Sequence, residues 1–203
     1  MTRFRGSMSV SQDTSFARLV SLACHDLRTP LATVHGFART IARTAELEEP
    51  ASRYVEMIEA ASGQLAELLD ELGLVARIEA GRYDPTTTQV ELGELARTAA
   101  ARLDPELVRV EGAGEQVTVD AAATERSLAA LVRCALRHGG LERVDVRVEG
   151  REVRISPITP ASAPVVLGED LRDLGAAVAV RLVRTLGGSV ELEGDELSVR
   201  LPA

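Results

Sequence analysis

A short run near the start of the chain carries the side chains best suited to chemistry: Cys24-His25-Asp26-Leu27-Arg28-Thr29-Pro30-Leu31. The imidazole of His25 is a potential nucleophile or base. Asp26 beside it could accept a hydrogen bond from one ring nitrogen and so raise the nucleophilicity of the other. Adjacent helical residues diverge by ~100°, so this pairing requires a favourable rotamer, and Asp26 as a solvated surface charge is the alternative. The same divergence argues against a nucleophilic pair between Cys24 and His25.

The run lies within a long amphipathic pattern. Apolar residues recur in alternating steps of four and three, which is typical of a coiled coil or helix bundle. This first seam consists of Phe16, Val20, Ala23, Leu27, Pro30, Val34, Phe37 and Ile41. His25 takes the heptad position that points away from a partner helix, so we expect it to face solvent or whatever docks from solvent. Five further residues share its face: Arg18, Leu22, Arg28, Thr29 and Ala32.

The motif His-Asp-Leu-Arg-Thr-Pro-Leu on a helix resembles the H-box of bacterial sensor histidine kinases. The resemblance implies that His25 is a phosphoacceptor, and an ordinary surface histidine is the alternative. In that family, an acidic residue after the histidine and a threonine three positions later orient water for phosphatase activity, a pattern that Asp26 and Thr29 fit. Thr29 as a plain surface residue is equally open. Because they share the face of His25, the residues expected to contact a receiver domain are Arg18, Leu22, Arg28 and Ala32. Arg28 could equally be solvated.

Composition sets limits on the class of protein. The 203 residues are 45% hydrophobic but only 2% aromatic, which predicts one or two globular domains with aliphatic cores. The net charge of −8 offers no basic stripe for nucleic acid. No apolar run approaches the ~20 residues of a membrane span, so we expect a soluble, cytoplasmic protein. Cys24 and Cys134 fit no metal-binding spacing, and no metal site is expected.

The first part of the chain predicts a helical hairpin. Residues 1–12 lack periodicity and are expected to be a disordered tail, and residues 13–81 carry two helices, about 13–44 and 50–80. The second seam consists of Tyr54, Ile58, Ala61, Leu65, Leu68, Leu72 and Val75. One hairpin buries only one side of each seam, so we expect two chains to form a four-helix bundle, as the resemblance also implies. A hairpin folded back on its own C-terminal domain is the alternative.

The second part alternates strands with helices. Residues 82–90 are expected to be a linker, and residues 91–203 a two-layer sandwich, which makes the fold class α+β. This part resembles the ATP-binding (Bergerat-type) domain of histidine kinases. The resemblance rests on Ala130–His138, which is similar to the N-box helix, and on Asp173–Ala177 with Leu186–Glu191, which are similar to the last glycine box and hairpin.

The resemblance fails where the family binds ATP. The chain contains no Asn, and the two N-box asparagines are replaced by Ala130 and Cys134. A thiol is a poor ligand for Mg²⁺. Ser156 and the proline after it stand where an Asp-x-Gly-x-Gly pattern is expected. In the later box Gly175 is kept, but Asp173 replaces the first glycine and would repel phosphate at a helix N-terminus. ATP is therefore not an expected cofactor, and Mg²⁺ is expected on a partner receiver domain.

Three functions remain open. The preferred hypothesis is a dimeric phosphorelay histidine phosphotransferase that passes a phosphoryl group to or from a receiver-domain aspartate through His25. Its partners would be response-regulator receiver domains and possibly an upstream hybrid kinase. The alternatives are a soluble ATP-dependent sensor histidine kinase and a non-enzymatic pseudokinase that binds receivers. His35 and His138 lie in no motif of their own and are expected to be structural or exposed.

Overall fold

The computed structural model describes residues 7–203, with side-chain placement from residue 15 onward. The chain divides into two compact units, Met1–Tyr83 and Asp84–Ala203. The first helix begins at Ser7, so the expected disordered tail is helical from residue 7 to 12, while residues 1–6 lie outside the described residues. Within the described part of the chain, no helix is both long enough and apolar enough to cross a membrane.

The first unit is a hairpin of two long helices, α1 (Ser7–Thr44) and α2 (Ala51–Glu79). Three contacts give the register: Cys24 with Gly73, Arg28 with Asp70, and His35 with Ser62. Later positions on α1 face earlier positions on α2, so the helices run antiparallel. The predicted hairpin is therefore present.

Most of the fully buried positions of the hairpin are small residues. They are Ala17, Cys24 and Ala38 on α1, and Ser62, Gly73 and Ala76 on α2, together with the larger Leu74. The two predicted seams stay largely uncovered, with Phe16 69%, Phe37 66% and Leu65 52% exposed. The heptad pattern thus identified the helices correctly, but most of the large apolar side chains that form it remain exposed within the hairpin.

A glycine follows the end of α2 and closes the helix. Gly81 has a left-handed backbone, φ 64°, and the N–H of Arg82 donates to the carbonyl of Arg77 at 2.8 Å. This six-residue closure satisfies a carbonyl that the helix end would otherwise leave free. It also turns the chain so that Arg82 follows directly on the last turn of α2.

The second unit is a two-layer α+β domain, as predicted. Its strands are β1 (Thr88–Glu91), β2 (Val108–Gly114), β3 (Gln116–Val119), β4 (Val144–Gly150), β5 (Glu152–Ser156), β6 (Ser189–Glu193) and β7 (Glu196–Arg200). Its helices are α3 (Leu92–Ala100), α4 (Ala121–Gly139), α5 (Ala163–Val166) and α6 (Leu174–Thr185). Five strands form one sheet in the order β2-β4-β5-β7-β6, in which only β2 and β4 are parallel. The core lies between this sheet and the helices, and on β4 buried valines alternate with exposed polar residues.

The expected linker contains regular structure. Residues 82–90 end in strand β1, which pairs antiparallel with β3 from Thr88 opposite Val119. Further along the chain, Val165 and Val166 of the short helix α5 are fully buried in the core. The last helix begins at Leu174, and the side chain of Asp173 caps it.

The side chain of Glu91, at the end of β1, makes hydrogen bonds to the start of α3 and to the end of β2. Its Oε1 accepts from the N–H of Gly93 at 2.8 Å and from the N–H of Gly114 at 2.6 Å, and its Oε2 accepts from the N–H of Glu94 at 2.8 Å. These bonds, with the nearby Arg97 guanidinium, hold the pKa of the Glu91 carboxyl below its usual value. The carboxylate therefore caps α3 and anchors the end of β2.

Candidate functional site

His25 lies exposed on α1 at the edge of a groove within the first unit. The groove has a volume of about 340 Å³. Its lining residues are Arg18, Ser21, Leu22, Cys24, His25, Arg28, Gly73, Arg77 and Arg82. Four of them are arginines and none is acidic. The imidazole therefore stands in a locally positive surface on a chain whose net charge is −8, and such a surface favours a negatively charged group.

The positive charge comes from both helices of the hairpin. Arg18 and Arg28 share the α1 face of His25, as the helical spacing predicted, while Arg77 and Arg82 come from the end of α2. The sequence analysis missed these last two. The signal that could have found them is the antiparallel register, because an arginine one turn after Gly73 must lie beside the turn of α1 that precedes Cys24.

Arg28 is held by a partner rather than free in solvent. Its Nη2 donates to Oδ1 of Asp70 at 2.6 Å, and both side chains are about half exposed. An exposed pair of this kind contributes about 1 kcal/mol or less to stability. Its larger consequence is geometric, because the contact crosses from α1 to α2 and holds the guanidinium at the wall of the groove.

Of the other residues singled out around His25, three lie outside the groove and one lies in it. Asp26 is exposed, and no hydrogen bond joins it to His25 among the described residues. Thr29 is exposed and its carbonyl accepts a hydrogen bond from the Thr33 hydroxyl at 3.1 Å. Ala32 is exposed one turn further along. Leu22, in contrast, lies in the groove and is 57% exposed. The structure thus brings Arg18, Leu22 and Arg28 to the histidine, and leaves the roles of the others as predictions.

The neighbouring Cys24 and the second histidine of the hairpin are structural. Cys24 is 2% exposed and packs against Gly73. Nδ1 of His35 lies 3.0 Å from Oγ of the buried Ser62. Both side chains therefore support the contact between the helices, and His25 is the imidazole of the hairpin that stays open to a partner.

In the second unit, the positions that replace the nucleotide ligands contact one another. Ala130 and Cys134 lie buried on α4. Burial and the nearby Asp173 carboxylate raise the pKa of the Cys134 thiol to about 12, so it is protonated and not a nucleophile. Asp173 caps α6, with Oδ1 accepting from the N–H of Ala176 at 3.1 Å. Its Oδ2 lies 3.2 Å from Nε2 of His138.

The two remaining positions of the expected nucleotide site are parts of regular elements. Ser156 is the last residue of β5 and pairs with Asp145 of β4. Gly175 is buried in the first turn of α6. The sequence spacing suggested no metal site, yet the ligand atoms of Cys134, His138 and Asp173 lie within 4.8 Å of one another. Sequence alone could not connect them, because Asp173 comes from a different helix.

Comparison with known proteins assigns the first unit. Residues 17–81 match the family model of the His Kinase A (phospho-acceptor) domain. The probable sensor histidine kinase TcrY of Mycobacterium tuberculosis is 28% identical over 72 residues, which is 36% of this chain and 15% of TcrY. The chain thus spans only a small part of this curated relative.

Solved structures share the fold of both units. The full-length structure of ShkA in complex with AMPPNP matches with a TM-score of 0.65 at 22% identity, over 92% of this chain and 46% of that one. The histidine kinase AdeS of Acinetobacter baumannii matches with a TM-score of 0.54 at 16% identity, over 88% of this chain and 98% of that one. At these identities the matches establish the architecture alone, a helical hairpin followed by an α+β domain.

Proposed function

We propose that the chain is a phosphorelay histidine phosphotransferase, starting from the match of residues 17–81 to the His Kinase A (phospho-acceptor) domain and from the similarity to a sensor histidine kinase. It passes a phosphoryl group to or from the aspartate of a response-regulator receiver domain through His25. The observation that carries the proposal is the exposed imidazole at a groove lined by four arginines, of which Arg28 is paired with Asp70. A phosphoryl group on His25 would meet positive charge from both helices.

The transfer requires little beyond position and charge. The unprotonated ring nitrogen of His25 attacks the phosphorus of the receiver's acyl phosphate. An N–P bond forms while the bond from phosphorus to the aspartate oxygen breaks, and the electron pair leaves with the carboxylate. The proton on the other ring nitrogen then passes to solvent, or to Asp26 where its rotamer allows. Positive groups at the groove offset the charge on the transferred oxygens, and the receiver domain is expected to supply Mg²⁺.

The second unit supports transfer between proteins rather than phosphorylation from ATP. The N-terminus of α6, where a phosphate would find free N–H groups, is already capped by the negative Asp173. The hard oxygen ligand that Mg²⁺ requires is replaced by the buried Cys134 thiol. The residues present therefore do not fit a magnesium nucleotide, and no step of the proposed reaction passes through one.

A second candidate is an ATP-dependent histidine kinase, which the whole-chain similarity to kinase structures favours. Calorimetry with ATP and Mg²⁺ separates the two. We expect no site tighter than about 100 μM, which corresponds to roughly −5.5 kcal/mol. A tighter site would overturn the phosphotransferase proposal in favour of a kinase.

The direct test follows labelled phosphate. A phosphorylated receiver domain, loaded by its own kinase or by a small phosphodonor, is expected to pass label to the wild-type protein. His25→Gln should abolish labelling, because the amide keeps polarity and size but lacks the nucleophilic nitrogen. At an exposed site its effect on stability should stay within about 0.5 kcal/mol. His35→Gln is the matched control on the same helix and should still accept label.

The outcomes of this test are distinct. The label should be acid-labile and base-stable, as a phosphoramidate is. Labelling that persists in His25→Gln would disprove the assignment. Wild-type protein that binds its receivers but takes no label from any of them would favour the third possibility, a pseudokinase that acts by binding alone.

The proposed active form is a homodimer. The large apolar residues of both predicted seams remain exposed within one chain, among them Leu27 at 54% and Ile58 at 48%. An apolar band along two long helices is unfavourable in water and is covered when two hairpins form a four-helix bundle. His25, on another face of α1, would stay accessible to the receiver.

A further inference from the structure

Three potential metal ligands converge within the second unit. Cys134 and His138 are one turn apart on α4, so their side chains share one face of that helix. Asp173 reaches them from the start of α6. One ligand atom from each lies within 4.8 Å of the other two. The cluster is largely shielded from solvent, since Cys134 is fully buried and the side chains of His138 and Asp173 are 18% and 12% exposed.

The spacing of two of these atoms already suits a single ion. In a tetrahedral zinc site, bonds to nitrogen and oxygen of about 2.0–2.1 Å place the two ligand atoms about 3.3 Å apart. Nε2 of His138 and Oδ2 of Asp173 are 3.2 Å apart. The sulfur of a third ligand would lie about 3.5 Å from each, given a zinc–sulfur bond of about 2.3 Å. Sγ of Cys134 lies within 4.8 Å of both atoms, so binding requires the sulfur to move closer to them.

We propose that Cys134, His138 and Asp173 bind a divalent cation of the zinc type. The set of one sulfur, one nitrogen and one oxygen ligand suits Zn²⁺ and disfavours Mg²⁺, which prefers oxygen ligands alone. On binding, the Cys134 thiol releases its proton to solvent. Two negative ligands and a neutral imidazole then balance the charge of the ion. A water molecule would supply the fourth ligand of a tetrahedral site.

The surroundings allow the ion to bind without dismantling the helix cap. Oδ1 of Asp173 can keep its hydrogen bond to the N–H of Ala176 while Oδ2 turns to the metal. Such an outer hydrogen bond orients a ligand carboxylate. Of the nearby cations, Arg137 lies 3.9 Å from Oδ2, but its side chain is 62% exposed and can move into solvent. Arg172 is already paired with Asp170, with Nε 2.7 Å from Oδ2 of that residue.

Cobalt tests the site because a cobalt–thiolate bond gives a charge-transfer band in the near ultraviolet. The full chain, stripped with a chelator, is titrated with Co²⁺ and then with Zn²⁺. We expect one Co²⁺ per chain, a thiolate band, and loss of the band as Zn²⁺ displaces cobalt. Cys134→Ser should remove the band, and Cys24→Ser, the matched control at the other buried cysteine, should retain it.

His138→Gln provides a second variant with a partly exposed side chain, in case Cys134→Ser fails to fold. It should weaken Co²⁺ binding by at least the roughly 10–100-fold that loss of an outer-shell partner costs. Zn²⁺ should raise the melting temperature of the wild type and not that of this variant. The proposal would be overturned if the wild type gave no thiolate band, or if the band survived in Cys134→Ser. It would also be overturned if Zn²⁺ stabilised His138→Gln as much as the wild type. Labelling of His25 is measured separately, so neither result decides the other.

Discussion

Leu68→Arg tests whether the exposed seam forms an interface between two chains. Leu68 lies on α2, belongs to the predicted second seam and is 42% exposed in the hairpin. In a four-helix bundle the same side chain would be covered by the partner. By symmetry the substitution places two arginines in the contact, where a guanidinium without a counter-ion is poorly solvated.

The size of the effect follows from the exposed fraction. Complete burial of a leucine contributes about 1.5–3 kcal/mol, so covering the 42% of Leu68 that is exposed contributes about 0.6–1.3 kcal/mol. Two copies in a dimer give about 1.2–2.6 kcal/mol, and the desolvated charges add several kcal/mol more. We therefore expect the dimer affinity to fall by at least about 1,000-fold.

Light scattering at micromolar concentration measures the result. The wild type should be a dimer, and Leu68→Arg should be a monomer or an aggregate. Leu171→Arg is the matched control, because Leu171 is 66% exposed and lies in the second unit rather than on the hairpin. A monomeric wild type, or dissociation by Leu171→Arg to the same extent, would show that the seam is not the interface.

Two further predictions concern the groove and the second unit. Arg77→Ala should slow phosphotransfer to His25 by about tenfold or more without unfolding the chain, because it removes positive charge from the groove; Arg53→Ala, at the far end of α2, should leave the rate unchanged. Glu91→Gln should lower the free energy of unfolding in urea by about 1–3 kcal/mol near neutral pH. The pKa of Glu91 is lowered in the folded state. The difference in unfolding free energy between wild type and Glu91→Gln should therefore be complete above the usual carboxyl pKa, and should shrink as the pH falls through the folded-state pKa. A difference that does not change with pH would contradict the role of the Glu91 charge.

The hairpin shows how far periodicity predicts packing. Steps of four and three located both helices, because large apolar side chains dominate such a pattern. The buried positions of α1 are Ala17, Cys24 and Ala38, which contribute little to a hydrophobic signal. The seams therefore located the helices but did not identify the residues that become buried when the hairpin forms.

The residues of the groove could likewise be predicted only in part, because some of them are close in sequence to His25 and others are not. The face shared by His25, Arg18 and Arg28 follows from helical geometry within a single segment. Arg77 and Arg82 join them only through the antiparallel register, which the sequence of either helix alone does not contain. Strand β1 was missed for the same reason, since residues 88–91 are too short to be recognised without their partner β3.

The expected nucleotide positions show why changed ligands need not disturb a fold. A free helix N-terminus favours negative charge, and in α6 the Asp173 carboxylate supplies it in place of a phosphate. The other oxygen of that carboxylate lies at His138, and the thiol of Cys134 fills the core where an amide would need hydrogen-bond partners. Each substitution meets a local requirement for charge or packing. These contacts favour a second unit whose stability does not depend on bound nucleotide, which is what the proposed transfer between proteins requires.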